Sequence, residues 1–231
     1  MVEIIAEIGI NHNGDLELAK KLIIAAKKSG ANTVKFQAYI TKNLASVNTP
    51  KASYQVDTNN INETHYEMLK KYELTKENHK DIKGFCNQVG ISYLCTPYDL
   101  ESFLILEELN VKRYKTSSAD LIDYFLHSAI SKTNKDVIIS TGMSNFEEIK
   151  KTLKLYKKYK GKITLMHCVS NYPCSNKSLN LNLLKKMQKL FKFDTGFSDH
   201  SEDNIPAITS VALGVRVIEK HFTLDKNLNE P

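Results

Sequence analysis

No apolar run in the 231 residues approaches the ~18 that a membrane-spanning helix needs, so a transmembrane helix is excluded. The first residues, Met1-Val2-Glu3-Ile4-Ile5, show no basic stretch leading into an apolar run and a small-residue cleavage site. A secretory signal is therefore not expected, and a cytoplasmic chain is. Arginine is scarce: Arg113 and Arg216 are the two among 32 basic residues. Few arginines and no interleaved aromatics argue against a nucleic-acid surface. The net charge of +6 is carried largely by lysine pairs such as Lys20-Lys21, Lys150-Lys151 and Lys185-Lys186, which read as solvated helix faces. The four cysteines, Cys86, Cys95, Cys168 and Cys174, form no CxxC pair, so a disulfide scaffold is not expected. The first apolar run leads into Gly9-Ile10-Asn11-His12-Asn13-Gly14, which is neither GxGxxG nor GxxxxGK[ST]. That removes the common nucleotide-binding sheets.

What is present is an ordinary globular composition, 42% apolar and 25% charged. The length suits one domain spanning 1–231, able to bury about 70% of its unfolded surface. Strand-like runs at 4–10, 33–36, 91–95, 111–114, 137–139, 163–166, 194–197 and 215–218 alternate with amphipathic stretches near 16–28, 76–89, 99–109, 123–132, 146–159, 179–191 and 203–212. Gly30, Gly90 and Gly161 stand where helix C-terminal caps belong. This alternation predicts βαβ units and a parallel sheet. The stretch 39–63, rich in Asn, Thr and Ser, is a long irregular insertion, and such insertions are usually functional.

Eight parallel strands allow an open doubly wound sheet or a closed (β/α)8 TIM barrel. A barrel places polar, reactive residues at the C-terminal end of strand after strand. Here Glu7 and Asn11, Lys35 and Gln37, Thr96, Lys115 with Ser117 and Ser118, Ser140 and Thr141, His167 and Ser170, Ser198 with Asp199 and His200, and Glu219 with His221 follow the eight runs in order. The barrel is the fold expected. His200 and His221 end consecutive strands, close enough to share a metal ion of the kind imidazole binds, Zn, Mn, Fe or Co. Lys35 and Lys115 follow apolar neighbours. A lysine in a barrel mouth can form a Schiff base, clamp a phosphate or clamp a carboxylate, and the hydroxyls around Lys115 favour an anion clamp. Glu7, between Ala6 and Ile8, must be paired, metal-bound or shifted in pKa if buried. These residues describe a metal-dependent enzyme acting on a small anionic substrate.

The chain resembles the sialic acid synthase family, which includes the legionaminic and pseudaminic acid synthases. The likeness rests on Ala6-Glu7-Ile8-Gly9-Ile10-Asn11-His12-Asn13-Gly14, Val34-Lys35-Phe36-Gln37, Thr96-Pro97-Tyr98-Asp99, Ser140-Thr141-Gly142-Met143, Gly196-Phe197-Ser198-Asp199-His200 and Ile218-Glu219-Lys220-His221-Phe222. It implies a metal-dependent condensation of phosphoenolpyruvate with an N-acetylated amino sugar such as N-acetylmannosamine. By resemblance, His200 and His221 hold Mn²⁺ or Mg²⁺. Lys35 and Lys115 bind phosphoenolpyruvate among Thr96, Ser118, Ser140 and Ser198. Glu7 sits at the reacting sugar hydroxyl, and Gln37 and Tyr172 line the sugar side. Where the family has Lys-Ile-x-Ser-Gly-Glu, this chain has Lys115-Thr116-Ser117-Ser118-Ala119-Asp120, so Asp120 takes the place of a catalytic glutamate. The resemblance also implies a homodimer. The sequence stops at Leu228-Asn229-Glu230-Pro231, before the family's eighth helix and its C-terminal antifreeze-like (SAF) domain, so a barrel lacking both is expected. The alternative reading is a catalytically weak or inactive barrel that keeps ligand and metal binding.

Overall fold

A computed structural model describes residues 1–51 and 63–226. The reading of Leu228–Pro231, and residues 52–62 of the 39–63 insertion, lie outside the described residues. Eight parallel strands alternate with helices as a (β/α)8 barrel. The strands are β1 (Glu3–Gly9), β2 (Thr33–Ala38), β3 (Ser92–Pro97), β4 (Arg113–Thr116), β5 (Asp136–Ser140), β6 (Ile163–Cys168), β7 (Asp194–Asp199) and β8 (Val217–His221). They lie in one sheet in the order β3-β2-β1-β8-β7-β6-β5-β4. The helices among the described residues are α1 (Leu16–Lys28), α2 (Thr41–Leu44), α3 (His65–Tyr72), α4 (Lys76–Val89), α5 (Leu100–Glu108), α6 (Tyr124–Thr133), α7 (Phe146–Leu155), α8 (Asn182–Phe191) and α9 (Ile205–Ala212). No helix among the described residues is long and apolar enough to cross a membrane.

The helices start where side chains satisfy their first N–H groups. Asp15 accepts from the backbone N–H of Glu17 and Leu18, and capping boxes pair Thr75 with Asn78 and Asn145 with Glu148. Gly90 ends α4 in the left-handed region at φ 73°, as expected. Gly161 does a different job. α7 stops at Leu155, and a Cβ at position 161 would lie 2.6 Å from the Lys135 carbonyl oxygen, so this glycine permits a close backbone approach.

The chain divides into two compact units. One comprises Met1–Ile5 and Val111–His221; the other comprises Ala6–Asn110 and the segment from Phe222. In the first, Cys174, Leu179, Leu184, Phe197, Val215 and Ile218 pack α8 and its preceding loop onto β7 and β8. At its strand starts, Arg113 grips Glu3 through both carboxylate oxygens, and Lys162 pairs with Asp194 at 2.7 Å. In the second unit, Tyr39, Met68 and Leu69 pack α3 beyond β2, and the Tyr39 hydroxyl donates to the Leu69 carbonyl at 2.9 Å.

Within each unit the register aligns the polar strand ends. Gln37 lies beside Thr96, Cys168 beside Ser198, and Ser198 beside Glu219. Side chains alternate along a strand, so Lys35 shares a face with Gln37, and Glu219 with His221.

Candidate active site

In the unit containing residues 6–110, Glu7 and Lys35 form an ion pair at 2.6 Å with both side chains 3% exposed. Gln37 Nε2 donates to Glu7 Oε1 at 3.3 Å, and Lys35 Nζ donates to Thr96 Oγ1 at 3.4 Å. The Phe222 N–H donates to the Glu7 carbonyl at 2.8 Å, and Asn11 Nδ2 donates to the Phe222 carbonyl at 3.1 Å, which ties down the end of β1. Burying an ion pair adds little net stability, because desolvation consumes most of the Coulomb gain. An ammonium, a carboxylate, an amide and a hydroxyl held this way are suited to binding or proton transfer.

In the other unit, Lys115 Nζ lies 2.9 Å from Glu219 Oε1, with side chains 8% and 4% exposed. Ser198 Oγ donates to the same oxygen at 2.9 Å and lies 3.2 Å from His200 Nε2. His200 Nδ1 lies 2.7 Å from the Val169 carbonyl oxygen. A carbonyl only accepts, so Nδ1 carries the proton. Ser198 has one proton and gives it to the carboxylate, so the Nε2 lone pair receives none from it. Burial pushes His200 down to about 4 and keeps it neutral at pH 7. The ring of His221 stands 5.7 Å from that of His200, centroid to centroid, and Tyr172 lies against both, at 4.3 Å from His200 and 5.6 Å from His221.

The donor chemistry fits a divalent cation. A neutral imidazole with a fixed tautomer and an uncommitted lone pair is a ligand, and the carbonyl behind it sets the ring's orientation. Among the described residues no group of three or more His, Cys, Asp or Glu side chains is gathered to hold a metal. Two imidazoles alone would leave most coordination positions to substrate or water, as a catalytic ion requires.

A third group closes this unit's site. Ser118 Oγ and Ser140 Oγ lie 3.0 and 3.5 Å from Cys168 Sγ. A Cβ on Gly142 would lie 2.6 Å from Cys168 Sγ and 2.8 Å from Ser118 Oγ, so the position must be glycine for the three to meet. Asp120 lies in the turn after β4, where its carboxylate accepts from Ser117 Oγ at 2.6 Å.

Comparison with known proteins shows the family. The profile of the NeuB family matches residues 22–231. The chain belongs to the NeuB family. It is 44% identical over 231 residues to the N,N'-diacetyllegionaminic acid synthase of Campylobacter jejuni, covering 99% of this chain and 69% of that protein. It is 40% identical to the enzyme of the same name from Legionella pneumophila, covering 99% of this chain and 65% of that one. The N-acetylneuraminic acid synthetase of Leptospira borgpetersenii, solved in complex with citrate, superposes with a TM-score of 0.86 at 32% identity, over 98% of this chain and 75% of that chain. This NeuB-family chain thus spans about two thirds of the length of the curated relatives it matches.

Four of the expected site residues, Glu7, Lys35, Gln37 and Thr96, meet in one unit, and seven in the other, Lys115, Ser118, Ser140, Tyr172, Ser198, His200 and His221, form its two groups. Two strand-end residues face elsewhere. His167 Nε2 bonds the Leu179 carbonyl at 2.7 Å and the ring stacks on Phe197, so it belongs to the layer between strand and helix. Asp199 pairs with Lys220. Both are one residue out of phase with the inward positions, and strict alternation along β6 and β7 would have separated them. Cys168 and Glu219 are the additions. Cys168 reads as core in the sequence because it ends an apolar run. Glu219 was visible as a polar strand end, and its pairing to Lys115, 104 residues away, is a product of the fold.

Proposed function

We propose that this chain is the catalytic barrel of a nonulosonic acid synthase, condensing phosphoenolpyruvate with an N-acetylated amino sugar and releasing phosphate. The observation that carries the reading is the pair of dry lysine–carboxylate contacts, Lys35 with Glu7 and Lys115 with Glu219, each backed by hydroxyls. Each contact sums to no net charge. Phosphoenolpyruvate carries a carboxylate and a phosphate of about −1.5 to −2. A neutral setting gains that charge readily when a divalent cation enters with it, which supports the assignment of His200 and His221 to Mn²⁺ or Mg²⁺. The cation would act as a Lewis acid on the aldehyde oxygen of the open-chain sugar.

Lys35 and Lys115 neutralise the phosphate and carboxylate, with Thr96, Ser118, Ser140 and Ser198 donating hydroxyl protons. Phosphoenolpyruvate C3 bonds to the aldehyde carbon, and the aldehyde oxygen becomes a hydroxyl by taking up a proton from water, relayed by the Glu7 carboxylate beside it. Water adds at C2, and Asp120 accepts its proton. The tetrahedral intermediate then breaks its C2–O bond to phosphate, leaving a C2 ketone. Gln37 and Tyr172 line the sugar side.

The test is phosphate release from phosphoenolpyruvate and Mn²⁺ with a panel of sugars: N-acetylmannosamine and the diacetamido precursors of legionaminic and pseudaminic acids. Release that requires one of these sugars and the metal is expected. Binding of phosphoenolpyruvate and Mn²⁺ without release from any sugar would favour a barrel that binds but does not turn over.

A further inference from the structure

Behind the two histidines, on the opposite face of the strands, lies an ionic knot that the reaction does not use. Asp199 and Lys220 are register partners on β7 and β8. Each is the immediate neighbour of a site residue: Asp199 precedes His200, and Lys220 stands between Glu219 and His221. Lys220 Nζ donates to Asp199 Oδ2 at 2.8 Å, to the Ser201 carbonyl at 2.7 Å and to the Asp203 carbonyl at 3.0 Å. Asp199 Oδ1 accepts from the Ser201 N–H at 2.9 Å and from Ser201 Oγ at 2.6 Å. The Asp199 side chain is fully buried and that of Lys220 is 29% exposed.

The effect is to lock the backbone on both sides of His200. Its carbonyl is also engaged, accepting from the Cys174 N–H at 2.8 Å. One ammonium, on the residue immediately before His221, thus fixes the loop that carries the other histidine. Simple stabilisation would not require it to gather two carbonyls from the residues that follow His200. Two imidazoles can share an ion only if their separation is held, and ligand-orienting partners carry much of a metal site's affinity.

We propose that Lys220 is a positioning residue for the His200–His221 pair, setting the ring separation through Asp199 and the 201–203 carbonyls. The proposal rests on the metal assignment above for its functional meaning, and its geometric part stands without it. The test compares Lys220→Met, Lys220→Arg and Asp199→Asn in the full chain. The first readout is metal-free: NMR of ring-labelled histidine, in which the Tyr172 ring marks the position of His200 through its ring-current shift. The second is Mn²⁺ titration by calorimetry, well below the unfolding temperature. Lys220→Met is expected to move the His200 resonance and to weaken Mn²⁺ tenfold or more. Lys220→Arg should restore affinity to within about threefold. Asp199→Asn, which keeps the side-chain size, should fall between them and stands in if Lys220→Met does not fold. An unmoved His200 resonance together with unchanged Mn²⁺ affinity in Lys220→Met and Asp199→Asn would overturn the proposal. A moved resonance in a protein whose parent binds no Mn²⁺ would leave the positioning role standing and sink the metal assignment instead.

Discussion

Replacing Lys115 by Met keeps most of the stem and removes the ammonium that faces Glu219 at 2.9 Å. Glu219 keeps the Ser198 hydroxyl but loses the facing ammonium, in a site where its side chain is 4% exposed. It can remain ionised without that ammonium, or it can take up a proton. Losing one partner of a buried pair generally costs about 3–5 kcal/mol. Protonation caps the cost, because it is always open to the carboxylate. From an unfolded reference of about 4.3, it costs about 3.7 kcal/mol at pH 7 and about 1.6 kcal/mol at pH 5.5, at 1.36 kcal/mol per unit. The sign follows from proton counting. In the variant the folded state binds more protons than the unfolded chain, so its penalty grows as pH rises and shrinks as pH falls. The expected loss relative to the parent is therefore about 3 kcal/mol at pH 7, or about 6–12 °C in Tm for a chain of this size, and roughly half that at pH 5.5. Urea unfolding of parent, Lys115→Met and Lys115→Met/Glu219→Gln at both pH values measures it. The double variant should recover most of the loss, since no charge remains to be neutralised. An equal penalty at pH 7 and 5.5, or a double variant no better than the single, would refute the reasoning.

Three further outcomes are expected. Burial depresses His12 and His127 to about 4 and His79 to about 3, each below the ordinary value of 6.5. The unfolded chain then binds the extra protons, so stability is lost as pH falls from 6.5 towards 4, by up to about 1.4 kcal/mol per pH unit for each histidine, and His79→Gln should flatten the slope of the urea midpoint against pH. Gly142→Ala puts a methyl 2.6 Å from Cys168 Sγ and should cost about 1–3 kcal/mol while weakening phosphoenolpyruvate; Gly142→Ala/Cys168→Ala should regain part of both, read by thermal shift with and without ligand. Lys35→Met should lower phosphoenolpyruvate affinity by about 2–5 kcal/mol, and unchanged ligand protection against thermal unfolding would remove Lys35 from the anion site.

The fold was legible because hydrophobic alternation and capping residues agree along the chain, and it was misread most at the strand ends. Seven of the eight strands run one to three residues beyond the expected stop, β2 to Ala38 and β8 to His221 among them. Polarity usually marks where a strand leaves the core. In this barrel the polar residues are the last inward-facing positions of the strands, so the same chemistry that marks the site hid the boundary. α3 was missed because its buried residues, Met68 and Leu69, are too few to show a helical stripe, although Thr64 and Glu67 form a capping box ahead of it. The motif 9–14 proved to be scaffold: His12 is buried, its Nδ1 accepting from the Gly14 N–H at 3.0 Å, and it serves the loop. Asp99 likewise holds β2 to α5, accepting from the Ile40 and Ser102 N–H groups. Sequence patterns place such residues near the site, and side-chain direction decides which of them face it.

The most direct measurement uses phosphoenolpyruvate carrying ¹⁸O in the bridge between C2 and phosphorus, incubated with the chain, Mn²⁺ and the accepted amino sugar, and followed by ³¹P NMR. Attack of water at C2 breaks the C2–O bond, so the label should leave with phosphate and shift its resonance upfield. Unlabelled phosphate, with ¹⁸O retained in the sugar acid, would mean that phosphorus is attacked instead and would contradict the proposed chemistry.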